Sequence, residues 1–159
     1  MLPKVKKQLG FTLIEVIVVI ALLAILATIV LVAINPAQNS ADARNTKRRS
    51  DVLQVLNAVN QHYVANGGFP TGTPAAGDPA VGIKSAAGGT LAAFCNAIVP
   101  TYIAALPFEP TNTGPLATEN HFVDCADYNT GYNISIGTGN RVTVTAPLTD
   151  DGPAISVTR

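Results

Sequence analysis

The sequence predicts an α+β chain: a long kinked N-terminal helix, apolar in its first half, whose second half packs on a small C-terminal antiparallel sheet. Three observations carry this. Residues 11–34 form a run of 24 in which only Thr12, Glu15 and Thr28 are polar. Val52, Val55, Leu56, Val59 and Tyr63 then recur at helical spacing and mark one apolar stripe. Beyond residue 130 the period becomes two: Tyr132, Ile134 and Ile136, then Val142 and Val144, then Ile155 and Val157 alternate with polar or small residues.

The first ten residues read as a leader that is removed and takes no part in the fold. Lys4, Lys6 and Lys7 stand before the apolar run with no acid among them. A spanning helix needs about 20 apolar residues, so residues 11–35 suffice for a transmembrane helix. The chain's formal charge is zero, yet beyond Gly10 seven basic side chains face ten acidic ones, a net −3. The positive-inside rule therefore leaves the leader in the cytoplasm and exports residues 36–159 as the globular part. A secretory signal would have a shorter apolar region, with its small residue after it. Here the small residue, Gly10, comes first, so cleavage there leaves the hydrophobic segment on the mature protein. Glu15 is the one carboxylate in the run. A charge at mid-bilayer costs roughly 2.5–3.5 kcal/mol, less near an end, so Glu15 asks for a functional explanation.

Asn35-Pro36 interrupts the run, because proline removes a backbone donor and disfavours helix at the residue before it. An amphipathic helix over residues 37–65 follows, closed by Asn66-Gly67-Gly68. As one helix from residue 11 to 65 it would be about 80 Å long. Asp42, Arg44, Lys47, Arg48, Asp51, Gln54, Asn57 and Gln61 are placed on its remaining surface. The basic cluster of Arg44 and Lys47-Arg48-Arg49 reads as a solvated or headgroup-facing patch, and a mildly acidic exported part does not indicate nucleic acid. Residues 66–90, rich in Gly, Pro, Ala and Thr, read as a loop. A short helix is expected over residues 91–98, with one more turn from Tyr102 to Leu106, then a stiff corner at Leu106-Pro107-Phe108-Glu109-Pro110. The antiparallel sheet occupies about residues 120–159, with turns at 137–140 and 150–153 and His121 to Cys125 as a fourth strand or extended loop. Cys95 and Cys125 are the only cysteines. In an oxidising space an even count favours a disulfide, which over a loop of about 31 residues stabilises by roughly 3–4 kcal/mol.

The basic leader ending at Gly10, then Phe11-Thr12-Leu13-Ile14-Glu15, then the long apolar helix, resemble the type IV pilin family, which includes the pseudopilins of type II secretion and of competence systems. The match covers about residues 4–34, and more loosely the whole layout. Leu106-Pro107 to Pro110 and Tyr128-Asn129-Thr130-Gly131-Tyr132 also resemble a Pro-x-Asp-Pro and tyrosine-rich segment of some members, with Glu109 where aspartate is usual. Many members carry a proline near the position of Val32, where this chain has Pro36 instead. The resemblance implies that a prepilin peptidase cuts between Gly10 and Phe11 and methylates the new amino group of Phe11. It implies that Glu15 pairs with the amino terminus of a neighbouring subunit, which lowers the cost of its charge and fixes the register of assembly. The implied partners are further copies of the chain in a helical homopolymer, the peptidase, an inner-membrane assembly platform with its ATPase, minor pilins, and the membrane before assembly. The implied location is the inner membrane, single-pass with the N-terminus inside, and then an extracellular filament.

Three other readings compete. A plain membrane anchor carrying an exported binding domain explains the charges and the apolar run, but neither Gly10-Phe11 nor the placing of Glu15. An enzyme is disfavoured: His62 lies near the helix stripe, His121 has Asp124 nearby but no nucleophile at motif spacing, and there is no Gly-x-Ser-x-Gly, phosphate loop or His-Glu-x-x-His. No cofactor is expected. For calcium the candidate donors are Asp124, Asp127 and Asn129 with Asp150 or Asp151, but the spacing is not that of an EF-hand, and acidic turn residues in water are the favoured reading. Among filament systems a pilin is favoured over a major pseudopilin of secretion or DNA uptake.

Overall fold

The computed structural model describes residues 10–111, 120–150 and 152–159. The leader lysines Lys4, Lys6 and Lys7 and the calcium candidate Asp151 lie outside these residues. The chain divides into two compact units, Met1–Ser40 and Ala41–Arg159.

The first unit holds α1 (Leu13–Ile34). Its apolar character is uniform around the axis, and every side chain described in it is exposed: Ile17 at 50% and Leu23 at 58% are typical. The segment Leu13–Leu31 is the one helix among the described residues long and apolar enough to cross a membrane. The interruption expected at Asn35-Pro36 is a full helix boundary. Asn35 adopts a left-handed backbone (φ 38°) and ends α1. Asparagine tolerates this conformation better than most residues. Pro36 then opens α2 (Pro36–Asn66) at the first helical position, where its missing N–H has no intrahelical partner to lose. Asn35 Oδ1 accepts from Gln38 N at 3.4 Å, so one residue caps both helices.

Among the described residues of the second unit, the part of α2 from Ala41 onward is the one long helix. Val52, Val55, Leu56 and Val59 are fully buried, as the stripe predicts, while Tyr63 is half exposed and its ring lies 4.6 Å from that of Phe69. Gly67, at φ 72°, donates to the Tyr63 carbonyl and closes the helix. After it come β1 (Val81–Lys84), α3 (Leu91–Ile98), β2 (His121–Phe122), β3 (Tyr128–Ile136), β4 (Val142–Ala146) and β5 (Ile155–Thr158). The sheet is antiparallel in the order β1-β3-β4-β5, with β2 paired to the start of β3. The alternation read from the sequence is the alternation of burial. Tyr128, Thr130, Tyr132, Ile134 and Ile136 of β3 and Val142, Val144 and Ala146 of β4 face a core completed by Ile83, Phe94, Cys95, Ile98 and Leu106.

Two details differ from expectation. The stretch read as irregular loop contains β1, which pairs Val81 with Ile134 and Gly82 with Asn133. A four-residue strand among glycines carries little local signal and forms because β3 offers a free edge. The extra turn after α3 falls at residues 99–102, where Tyr102 and Ile103 donate to the Ile98 carbonyl, so it ends α3 instead of standing apart.

Candidate functional site

At the N-terminal end, Gly10 is exposed and a Cβ built on it meets nothing within 4 Å. The backbone there is open to close approach. Phe11 is 84% exposed. Glu15 sits in the first turn of α1, where its amide donates to Thr12 Oγ1 at 3.2 Å and its carboxylate accepts from Thr12 N at 3.4 Å. This reciprocal pair is a capping box, and a negative charge at a helix N-terminus is favoured by the helix dipole. The sequence reading missed it, although Thr12-Leu13-Ile14-Glu15 carries its Thr-x-x-Glu spacing. Phe11, Glu15, Val16 and Val19 line one open groove of 280 Å³ along this end of the helix.

The second site is a charged cluster in the globular unit. Arg48 is 1% exposed. Its Nε donates to Glu109 Oε1 and Oε2 at 2.8 and 3.1 Å, its Nη1 to Asn45 Oδ1 at 2.7 Å and Asp150 Oδ2 at 2.6 Å, and its Nη2 to Glu109 and Thr111 Oγ1. Arg44 Nε and Nη2 hold Asp150 from the other side at 2.7–3.0 Å. Asp51, also buried, accepts from Lys47 Nζ at 2.8 Å and from the Tyr132 hydroxyl at 2.9 Å. This corrects the surface reading of Arg48 and Asp51, while Lys47 and Arg49 are exposed as expected. Asn45, Arg48 and Asp51 belong to the buried face of α2 that continues into Val52, Val55 and Leu56. A signal was present: Arg48 stands four residues before Val52 and seven before Val55, in line with the stripe. Its partner Glu109 was invisible, because 61 residues separate the two.

The electrostatics follow from this packing. Burial pulls the Arg48 pKa down, but hydrogen bonds to Glu109 and Asp150 more than offset it, so the guanidinium is held charged. The hydrogen bonds from Arg44, then those from Arg48, hold the Asp150 carboxyl down at about 2. Burial, then the charge of Asp51, pushes the Tyr132 hydroxyl well above its ordinary range, so it remains a donor. Gly131 (φ 73°) completes the cluster's wall: a Cβ there would meet Glu109 Cβ at 3.0 Å and Asn120 Oδ1 at 2.9 Å.

Cys95 and Cys125 form a disulfide, with Cα atoms 5.3 Å apart, that ties α3 to the turn between β2 and β3. The calcium candidates are not brought together. Asp124 accepts from the amides of Ala126 and Asp127 in its own turn, Asp127 pairs with His121 at 2.8 Å, and Asp150 lies in the arginine cluster. Asn129 spends its side-chain oxygen on the Gly131 amide. Among the described residues no group of three or more His, Cys, Asp or Glu is placed to hold a metal ion. His62 contacts the Gly68 carbonyl at 3.1 Å and the ring of Tyr102, in a packing position.

Residues 5–31 match the model of the prokaryotic N-terminal methylation motif, the class III signal peptide of type IV pilins and pseudopilins. No curated protein and no solved structure matches the chain. The matched segment includes Gly10, Phe11, Thr12 and Glu15 and most of α1. With the apolar helix and the C-terminal antiparallel sheet, the motif supports a type IV pilin-like or pseudopilin protein and fits membrane anchoring before assembly.

Proposed function

We propose that this chain is a structural subunit of a type IV pilus-like filament. A prepilin peptidase cuts it between Gly10 and Phe11 and methylates the Phe11 amine. The observation that carries the reading is the methylation motif matched at residues 5–31, a range that includes Gly10, Phe11 and Glu15. The bare apolar α1 supports it: this helix has no core of its own to enter, and lipid first and like helices later supply one. Before cleavage the Glu15 carboxylate caps its own helix through Thr12. Cleavage creates a cation at Phe11. In the filament Glu15 pairs with that cation on a neighbouring copy, since a carboxylate in an apolar bundle is costly without a partner. The partners of this reading are the chain itself, the peptidase, an assembly platform with its ATPase, and minor subunits. The chain waits in the inner membrane with its N-terminus inside and ends in a surface filament.

No catalytic step and no cofactor enters this reading. Asp150, the best-placed calcium candidate, is already neutralised by two guanidiniums, so added calcium leaves the unfolding temperature unchanged. The test of the main reading is the intact mass and N-terminal sequence of the protein from its native host. The expected chain begins at Phe11 and is one methyl group heavier than its sequence. A chain still beginning at Met1 sinks the proposal.

A further inference from the structure

The outer face of the sheet carries a polar depression that the filament role does not use. Its shape comes from a break in register. Between Gly82 and Lys84 strand β1 advances two residues, while β3 advances four, from Asn133 to Asn129. The extra residues bulge around Gly131, whose left-handed backbone admits the turn. Gly82 lies beside it, with no side chain to fill the space. The resulting hollow has a volume of 300 Å³, the lower end of the range for small-ligand sites.

The lining is chemically consistent. Asn129 and Asn133, outward-facing members of β3, and Lys84 of β1 stand around it. The Lys84 stem runs over Gly82 and Gly89, close enough that a Cβ on Gly89 would meet its Cγ at 2.4 Å, so the side chain is guided along this edge. Asn120 also lines the hollow. It is 5% exposed, and its Oδ1 is buried with no hydrogen-bond partner. A buried acceptor without a donor costs about 1–3 kcal/mol, and a ligand hydroxyl would recover it. Pro147 and the half-exposed Leu148 add an apolar edge.

We infer that this depression binds one sugar unit of an acidic saccharide, a hexuronate. Asn129 keeps its Nδ2 as a donor, its oxygen being held by the Gly131 amide, and the Asn133 amide both donates and accepts, which suits neighbouring hydroxyls. Lys84 gives one positive charge for one carboxylate, and Pro147 with Leu148 suits the C–H face of a sugar ring. Single-stranded nucleic acid fits less well. It needs exposed rings for stacking and a tract of cations along its backbone. Tyr132, the one aromatic in the lining, is fully buried with its hydroxyl on Asp51.

The test uses the full chain in detergent micelles, titrated with oligogalacturonate, with a neutral malto-oligosaccharide and with oligo-dT. Saturable binding of oligogalacturonate, weaker binding of the neutral sugar and none of oligo-dT are expected. Lys84→Met weakens binding about tenfold, the effect of losing one charge-assisted hydrogen bond. Gly82→Ala, whose new Cβ meets only ordinary contacts of 3.6–3.7 Å, occupies the floor and weakens binding too, while the unfolding temperature stays as in the parent chain. The inference is overturned if oligogalacturonate does not bind saturably, if both variants bind it like the parent, or if oligo-dT binds with the same dependence on Lys84.

Discussion

The two helices of this chain solve opposite problems. In α1 no described side chain is buried, and its polar side chains bond locally, Glu15 in the cap with Thr12 and the Thr28 hydroxyl to the Ala24 carbonyl. In α2 one face enters a core, and that face changes character along its length, from Asn45, Arg48 and Asp51 to Val52, Val55, Leu56 and Val59. A helix apolar on every side gains nothing from any one orientation and leaves its burial to its surroundings. A helix with one mixed face accepts a single docking, because each charge on it needs its own partner. The first design suits a segment that, under the function proposed above, moves from lipid to filament. The second suits a part that keeps one shape throughout.

Substitutions can break this contrast. The largest effect is expected at Glu15. Glu15→Leu leaves insertion and cleavage intact but abolishes efficient assembly, scored as filaments sheared from cells against processed subunit in the membrane. Normal filament yield from this variant would remove the pairing role. Stability of the purified chain is expected to change little, since one exposed capping box contributes only about 1 kcal/mol.

In α2 the order reverses, and stability carries the effect. Arg48→Met leaves Glu109 buried without its cation and costs about 3–5 kcal/mol, measured by denaturant unfolding. Arg48→Met combined with Glu109→Leu costs less than the single change, because no lone charge remains. A double variant worse than Arg48→Met alone would mean that packing, not charge, dominates the cluster. Below this lies the disulfide: Cys95→Ser with Cys125→Ser lowers stability by about 3 kcal/mol through the freed loop and leaves the sheet in place, by circular dichroism.

The smallest expected effect is a pH dependence. Arg44 and Arg48 hold the folded Asp150 carboxyl at about 2, below the unfolded value of about 3.9. Between these values the folded chain binds fewer protons. The stabilisation from this contact is therefore complete above about pH 4 and is lost as the pH falls toward 2. Asp150→Asn removes that acid-sensitive component and costs about 1–2 kcal/mol at neutral pH. An unchanged acid profile in this variant would remove the role given to Asp150.

Much of this was legible in the residues because it is local. Gly10, Phe11 and Glu15 are set within one short segment, α1 by its composition, and β3 and β4 by a period-two alternation that the burial pattern repeats residue for residue. The Thr12–Glu15 cap was equally local and was passed over because Glu15 was weighed only as a membrane charge. What resisted reading was non-local. Strand β1 has too few residues to declare itself, and the bulge at Gly131 exists only relative to β1.

The sequence by itself thus determined the N-terminal methylation motif, the bare helix and the inward face of the sheet, since each rests on neighbours along the chain. Only the tertiary structure decided that Arg48 is a core residue. Arg48 and Asp150 read individually as solvated, yet folding brings together partners 61 and 102 residues apart, so that Arg48 and Glu109 are buried and Asp150 is partly so. A charge can leave water only where its counter-charge already waits, and that condition is set in space, not along the chain.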